Sequence, residues 1–222
     1  LGYSYGQAGQ LEEAEAALRL ALAESERMEL RGTTAYVLQN LGLVLAYRGR
    51  LDEARAVEET ACEMLERHGD ARMEGCARIY LASILVLAGE PEAAAHEARA
   101  AEAILERAPP LRAYAVAVLG RALLHLGRAG DALAAAQRAR ALLDEVGVEE
   151  GESVVRLVHA EALWACGHGA EAAQAIAAAR ARLLERAAKI RDAVFREHFL
   201  VRAADNARTL ELAREWLGEA AE

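Results

Sequence analysis

The sequence predicts an all-α protein, a right-handed α-α superhelix of about five stacked helical hairpins with a capping pair of helices at its C-terminal end. Three observations lead to this prediction. A glycine between helical segments recurs at intervals of 38 to 40 residues. An alanine lies five positions after each glycine, and a large-then-small pair of residues lies eight and seven positions before it. Strong helix formers dominate the composition, whereas residue types that favour strands are sparse.

The repeated glycines mark the turns between the two helices of each hairpin. Glycine adopts the left-handed conformation that ends a helix and reverses the chain, so a turn at each glycine is the expected structure. The five turn glycines are Gly9, Gly49, Gly89, Gly127 and Gly167.

The small residues on either side of each turn predict close contact between the paired helices. A larger side chain at the position seven before the glycine would separate the two backbones, and a bulky residue five after it would clash where the helices cross. The residues seven before are Gly2, Gly42, Ala82, Gly120 and Ala160. The residues five after are Ala14, Ala54, Ala94, Ala132 and Ala172. Only His159 breaks the rule that a large residue precedes the small one.

The repeat pattern ends near Arg186, and two further helices are expected beyond it. The first covers about Ile190–Val201, and its candidates for burial are Val194, Phe195 and Phe199. Asp205 or Asn206 would cap the second helix, which places Leu210, Ala213 and Leu217 on one face. We therefore divide the chain into helical repeats over residues 1–186 and capping helices over residues 187–222.

The spacing of these positions resembles the tetratricopeptide repeat (TPR). One copy shows it in Leu41-Gly42, Leu45, Gly49 and Ala54. The period is near 40 residues instead of about 34, as in the long-helix variety of large bacterial signalling proteins. HEAT-like repeats share this period but do not require glycine and alanine at these offsets, and they are the alternative architecture.

The C-terminal stretch FLVRAADNARTLELAREWLG is similar to the closing segment of TPR regions in bacterial multidomain signalling proteins. Such proteins include serine/threonine kinases, nucleotide cyclases and signal-transduction ATPases. Because the chain begins inside its first repeat, we expect a fragment of a longer protein, namely its C-terminal regulatory region. The first repeat would then leave an uncapped apolar edge at Leu1–Tyr5.

Composition and motifs exclude several classes of function. The formal net charge of −9 disfavours nucleic-acid binding, and the chain has no apolar run long enough for a membrane span. Three dispersed cysteines are typical of buried thiols in a reducing, cytoplasmic compartment. The chain has no phosphate-binding loop and no catalytic signature, so we expect neither an enzyme nor a cofactor in this fragment. A metal site from His125, His159 and Glu161 is the alternative for its histidines.

The resemblance to TPR proteins implies that the first helices of the hairpins line a concave groove. The groove residues that it implies are Tyr36, Gln39, Leu43, Ile79, Ser83, Tyr114, Arg121, Leu157, Glu161 and Trp164, with Tyr47 and His125 on the rim. Tyr, Trp and Arg are the residue types that most often carry binding energy at interfaces.

The expected function is therefore a non-catalytic protein-interaction scaffold that binds a peptide or helix in this groove. The partner would be another protein or another segment of the parent chain. A ligand-sensing regulatory domain of a kinase or signal-transduction ATPase is one alternative. A self-association scaffold, which makes homo-oligomers through the apolar edge, is the other.

Overall fold

The computed structural model describes residues 10–146 and 150–218, and over these residues the chain forms eleven helices and no strand. The helices are α1 (Leu11–Arg27), α2 (Arg31–Tyr47), α3 (Leu51–His68), α4 (Ala71–Leu87), α5 (Pro91–Ile104), α6 (Pro109–His125), α7 (Ala129–Val146), α8 (Glu152–Ala165), α9 (Gly169–Ala188), α10 (Ala193–Val201) and α11 (Ala204–Leu217). The predictions for the Gly9 turn and for the edge at Leu1–Tyr5 fall outside the described residues.

The helices pack as a row of antiparallel hairpins. The pairs α2–α3, α4–α5, α6–α7 and α8–α9 each form a hairpin, and α1 packs against α2 at the start of the row. The first helices of successive hairpins also touch one another, α2 with α4, α4 with α6 and α6 with α8. This arrangement is a helical solenoid and confirms the predicted fold class. None of the helices in the described part of the chain is long and apolar enough to cross a membrane.

Four of the predicted turn glycines lie in the described residues, and all four end a first helix. Gly49, Gly89, Gly127 and Gly167 have positive φ angles between 69° and 81°. At Gly49 the glycine amide donates to the Ala46 carbonyl at 2.9 Å, and the next amide, of Arg50, donates to the Leu45 carbonyl at 3.0 Å. These two bonds form a Schellman motif, which satisfies the last carbonyls of the helix while the chain reverses.

The small residues of the pattern lie where paired helices cross. A Cβ atom added at Gly42 would lie 3.2 Å from the Ala54 carbonyl oxygen. One added at Gly120 would lie 3.1 Å from a methyl group of Val158 on the next hairpin. The alanines five after each turn are fully buried. The sequence pattern therefore marks positions where neighbouring helices approach closely.

The C-terminal segment differs from its predicted details. α10 contains no buried residue, and Val194, a predicted core residue, is 56% exposed. α11 begins at Ala204, so neither Asp205 nor Asn206 is its N-cap. The Asn206 side chain instead donates to the Phe199 carbonyl at 2.8 Å. Gly218 follows the helix with a positive φ of 69°, as its position in the sequence predicts.

α11 packs against both α9 and α8 at the end of the row. A small cluster of six buried residues holds this end together, and only two of them, Leu212 and Ala213, come from α11. α9 continues to Ala188, two residues beyond the predicted end of the repeats.

Candidate functional site

The face on which α2, α4, α6 and α8 lie side by side contains an open cavity of about 710 Å³. We call this face the groove. The residues that line its cavity are Tyr47, Ser83, Val86, Leu87, Tyr114, Arg121, Leu124, His125, Leu157, Glu161, Trp164, Ala165, Ala204, Asp205, Arg208 and Trp216. Four first helices therefore supply most of the cavity, and α11 supplies one wall.

Six of the ten groove residues expected from the sequence line this cavity. They are Ser83, Tyr114, Arg121, Leu157, Glu161 and Trp164. Leu43 lines a smaller adjoining cavity of about 90 Å³, which also contacts Tyr47 and Tyr114.

The other three expected groove residues line neither cavity. Ile79 is completely buried in the main core, and Gln39 is buried with its Oε1 atom left without a hydrogen-bond partner. Tyr36 is exposed on the protein surface away from both cavities.

Sequence reasoning missed Leu87 on α4, Ala165 on α8 and the four residues of α11 that line the cavity. Leu87 is the last residue of its helix, directly before the turn, and 49% of its side chain is exposed. α11 was expected to cover the last hairpin only. A signal was present in the spacing of Asp205, Arg208 and Trp216, because positions i, i+3 and i+11 lie along one face of a helix.

The charged groups that line the cavity are paired with one another. Arg121 on α6 donates from Nη2 to Asp205 Oδ1 on α11 at 2.5 Å. Arg208 on α11 donates from Nε to Glu161 Oε1 on α8 at 3.4 Å. Although burial acts to lower the pKa of Arg121, the carboxylates beside it raise that pKa, so the guanidinium stays charged.

The aromatic rings of the cavity are partly stacked on one another and partly exposed to solvent. Trp164 of α8 stacks on Trp216 of α11, with ring centroids 4.5 Å apart and planes 6° from parallel. Trp164 still has 48% of its surface exposed. Burial raises the pKa of the Tyr114 hydroxyl well above its ordinary value, so this hydroxyl, a possible hydrogen-bond donor, stays protonated even at alkaline pH.

The structure does not form the alternative metal site. Within residues 10–146 and 150–218, no three His, Cys, Asp or Glu side chains come together in a group that could hold a metal ion. His125, His159 and Glu161 therefore do not converge, although all three lie on first helices.

Comparisons with known proteins show a TPR-like helical repeat fold. A putative kinesin light chain of P. anserina with nearly identical TPR-like repeats superposes with a TM-score of 0.61 at 19% identity, over 86% of this chain and 94% of that one. A Rap protein in complex with competence and sporulation factor gives a TM-score of 0.66 at 19% identity, over 96% of this chain and 61% of that one. BtubC from P. vanneervenii gives 0.63 at 14% identity, over 96% of this chain and 94% of that one. No protein-family model and no curated sequence matches the chain.

Proposed function

We propose that this chain is a protein-interaction module whose groove binds a short apolar segment of another protein. The observation that carries the proposal is the open cavity with exposed apolar and aromatic side chains around it. Tyr47, Leu87 and Trp164 come from three different helices and are each between 37% and 49% exposed. Large apolar side chains that gather at one concave site of a soluble protein are typical of a binding surface.

The pairing of the charges points to the chemistry of the partner. Arg121 and Glu161 already have partners inside the chain, so a segment that enters the cavity meets no free charge there. Burying an unpaired charge is costly, so the cavity selects against segments with a charged residue at this point. An apolar segment is favoured instead, because its binding removes the exposed apolar surface of the cavity from water.

The cavity is open on one side, so a bound segment would lie along it and not be enclosed by it. The cavity holds about 710 Å³, which leaves room for several side chains of that segment. The Rap protein of the same fold is in complex with competence and sporulation factor, which supports a binding role for this architecture.

The placement of this module in a larger protein belongs to the same proposal. We take residues 1–186 as the helical repeats and residues 187–222 as capping helices, and we take both together as a regulatory region of a bacterial, cytoplasmic signalling protein. The similarity of the C-terminal stretch to signalling proteins supports this view.

A small-molecule ligand is the second candidate, because the cavity volume lies within the range of about 300–1,000 Å³ that is usual for such sites. The chain would then be a ligand-sensing regulatory domain. A ligand that binds only the folded chain raises the melting temperature, so a screen of metabolites by thermal melting tests this candidate directly.

A matched pair of leucine variants tests the proposed function. Peptides are first selected from a random display library on the wild-type chain and are then titrated onto each variant. Leu87→Glu puts a charge into the cavity, whereas Leu184→Glu puts the same charge at a similarly exposed position on α9 outside it. We expect Leu87→Glu to weaken binding at least about tenfold, which is about 1.4 kcal/mol, while Leu184→Glu leaves it unchanged. Selected peptides that bind both variants equally, or a selection that yields none, would contradict the proposal.

A further inference from the structure

One stripe of α11 faces the hairpins, and three of its four residues line the cavity of the groove. Asp205, Arg208, Leu212 and Trp216 follow one another at steps of three, four and four residues. Residues at this spacing lie along one side of a helix, over about three turns. The stripe therefore presents an acid, a base, an aliphatic and an aromatic side chain in a fixed order.

Three residues of the stripe bind groove residues that the repeats provide. Asp205 pairs with Arg121 on α6, which lies 84 positions earlier in the chain. On α8, Glu161 accepts a hydrogen bond from Arg208, and Trp164 stacks on Trp216. Leu212 is buried in the small cluster between α8 and α9.

α11 contributes only two buried apolar residues to its contacts, namely Leu212 and Ala213. α10, which precedes it, has no buried residue. Both its Val194 and its Val201 are more than half exposed. A terminal element with few buried apolar contacts opens at a lower free energy than the core does. Detaching α11 is therefore expected to cost less free energy than unfolding the hairpins.

We propose that α11 is an internal occupant of the groove, which an amphipathic helix of the same pattern on a partner displaces. The partner helix carries an acidic residue in its first turn for Arg121, and an aromatic residue eleven positions later for Trp164. This inference rests on the proposed function, because it concerns the same face. It adds a second mode of binding, in which a helix takes the place that α11 leaves.

Competition of this kind sets the apparent affinity of the partner. When α11 is detached from the groove in about one molecule in a hundred, a competing helix binds about a hundredfold more weakly than it binds to a chain whose α11 is always detached. Changes that release α11 therefore tighten the binding of a competitor. A helix that only caps the solenoid has no such competitor.

A peptide of residues 204–217, ADNARTLELAREWL, is the probe for this test. It carries a fluorescent label and is titrated by anisotropy onto the full chain. The released variant combines Asp205→Lys with Trp216→Ala, which removes both end contacts of the stripe. We expect saturable binding to the released variant, and binding at least about tenfold weaker to the wild type. The same two changes made in the peptide are the control, and they should abolish its binding.

A charge swap provides a second variant, so that the result does not depend on one set of substitutions. Arg121→Asp repels the chain's own Asp205 and should bind a peptide with Asp205→Lys in preference to the native peptide. Circular dichroism checks that both variants keep the helical content of the wild type. Equal binding of the native peptide to wild type and released variant, or binding to neither folded variant, would overturn the inference.

The two proposals fail separately in these experiments. Peptides selected on the wild type that depend on Leu87 support the cavity as a binding site, whatever α11 does. Binding of the labelled α11 peptide tests the contacts with Arg121 and Trp164, and this test needs no outside partner.

Discussion

The buried carboxyl group of Glu58 provides a direct test of the packing between α2 and α3. Glu58 lies on α3, is completely buried, and neither of its side-chain oxygens has a hydrogen-bond partner. It lies nine positions after a turn glycine, where the other hairpins have buried apolar residues, namely Leu18, Ala98, Ala136 and Ile176. Its side chain lies against the backbone of Gly42, which has no side chain of its own to displace it. The Glu58→Met substitution keeps the length of the side chain and removes both unpaired oxygens.

The expected gain follows from the cost of an unsatisfied buried group. Leaving such a group without a partner costs about 1–3 kcal/mol, so Glu58→Met should stabilise the protein by about that amount at pH 7. Each kcal/mol corresponds to roughly 2–4 °C in melting temperature for a chain of this size.

The effect depends on pH with a definite sign. Burial raises the pKa of Glu58 well above its ordinary value of 4.5. The folded state therefore holds this proton at pH values where the unfolded chain has already lost it. The stability that comes from holding this proton in the folded state is fully present below pH 4.5, and it is lost as the pH rises toward the raised pKa of Glu58. The advantage of Glu58→Met over the wild type should accordingly grow between pH 5 and pH 8, both being rough bounds.

Glu152 is the matched control, because it is equally buried but is paired. Its Oε1 atom accepts hydrogen bonds from Arg156 and Arg182, both at 2.9 Å, although its Oε2 atom has no hydrogen-bond partner. Glu152→Met should destabilise the protein by about 2 kcal/mol, because it removes the carboxylate that pairs with the partly buried guanidinium of Arg156. Urea unfolding followed by circular dichroism measures both variants. A loss of stability in Glu58→Met at pH 7, or the same sign in both variants, would refute the reasoning.

Two further predictions concern the turns and the thiols. Gly127→Ala forces an L residue to a φ of 69° and should lower the free energy of unfolding by about 1 kcal/mol in the same urea assay. Its control is Gly130→Ala, in the open first turn of α7, which should raise that free energy by about 0.5 kcal/mol. Equal effects of the two substitutions would contradict the turn assignment. Burial raises the pKa of the Cys62 thiol and raises that of Cys76 to about 12, so a thiol-specific reagent should label only Cys166 quickly in the native chain and all three after unfolding. Fast labelling of two or more thiols in the folded protein would contradict the burial of Cys62 and Cys76.

The hairpins could be predicted from the sequence because their geometry leaves few choices of residue. A turn at Gly49 needs a positive φ of 77°, and the crossing at Gly42 leaves no room for a side chain beside Glu58. Such steric requirements recur in each copy, so they leave a periodic mark in the sequence. The same is true of the alanines that pack at each crossing.

The groove could be predicted only in part, because a first helix in a solenoid has three packed sides. α4 contacts its own partner α5 and both neighbouring first helices, α2 and α6. Ile79 points into this packing and is fully buried, while Ser83, one turn later, reaches the cavity. The division between core and groove depends on the rotation of each helix against its neighbours, and the repeat pattern does not encode that rotation residue by residue.

The place of α11 depends on the arrangement of the whole row, because the spacing of its residues shows which of them share a face but not what that face contacts. A cap needs only apolar contact with the last hairpin, and Leu212 and Ala213 supply it. The ion pair of Asp205 with Arg121 reaches past α8 to the preceding first helix, and the stacked pair of Trp164 and Trp216 puts a second contact near the far end of the helix. Both groups of this pair are only about 20% exposed, so the cost of removing them from water offsets much of their attraction and the pair adds little net stability. Its value is that it fixes α11 in one register over the cavity, and a partner helix would have to match that same register.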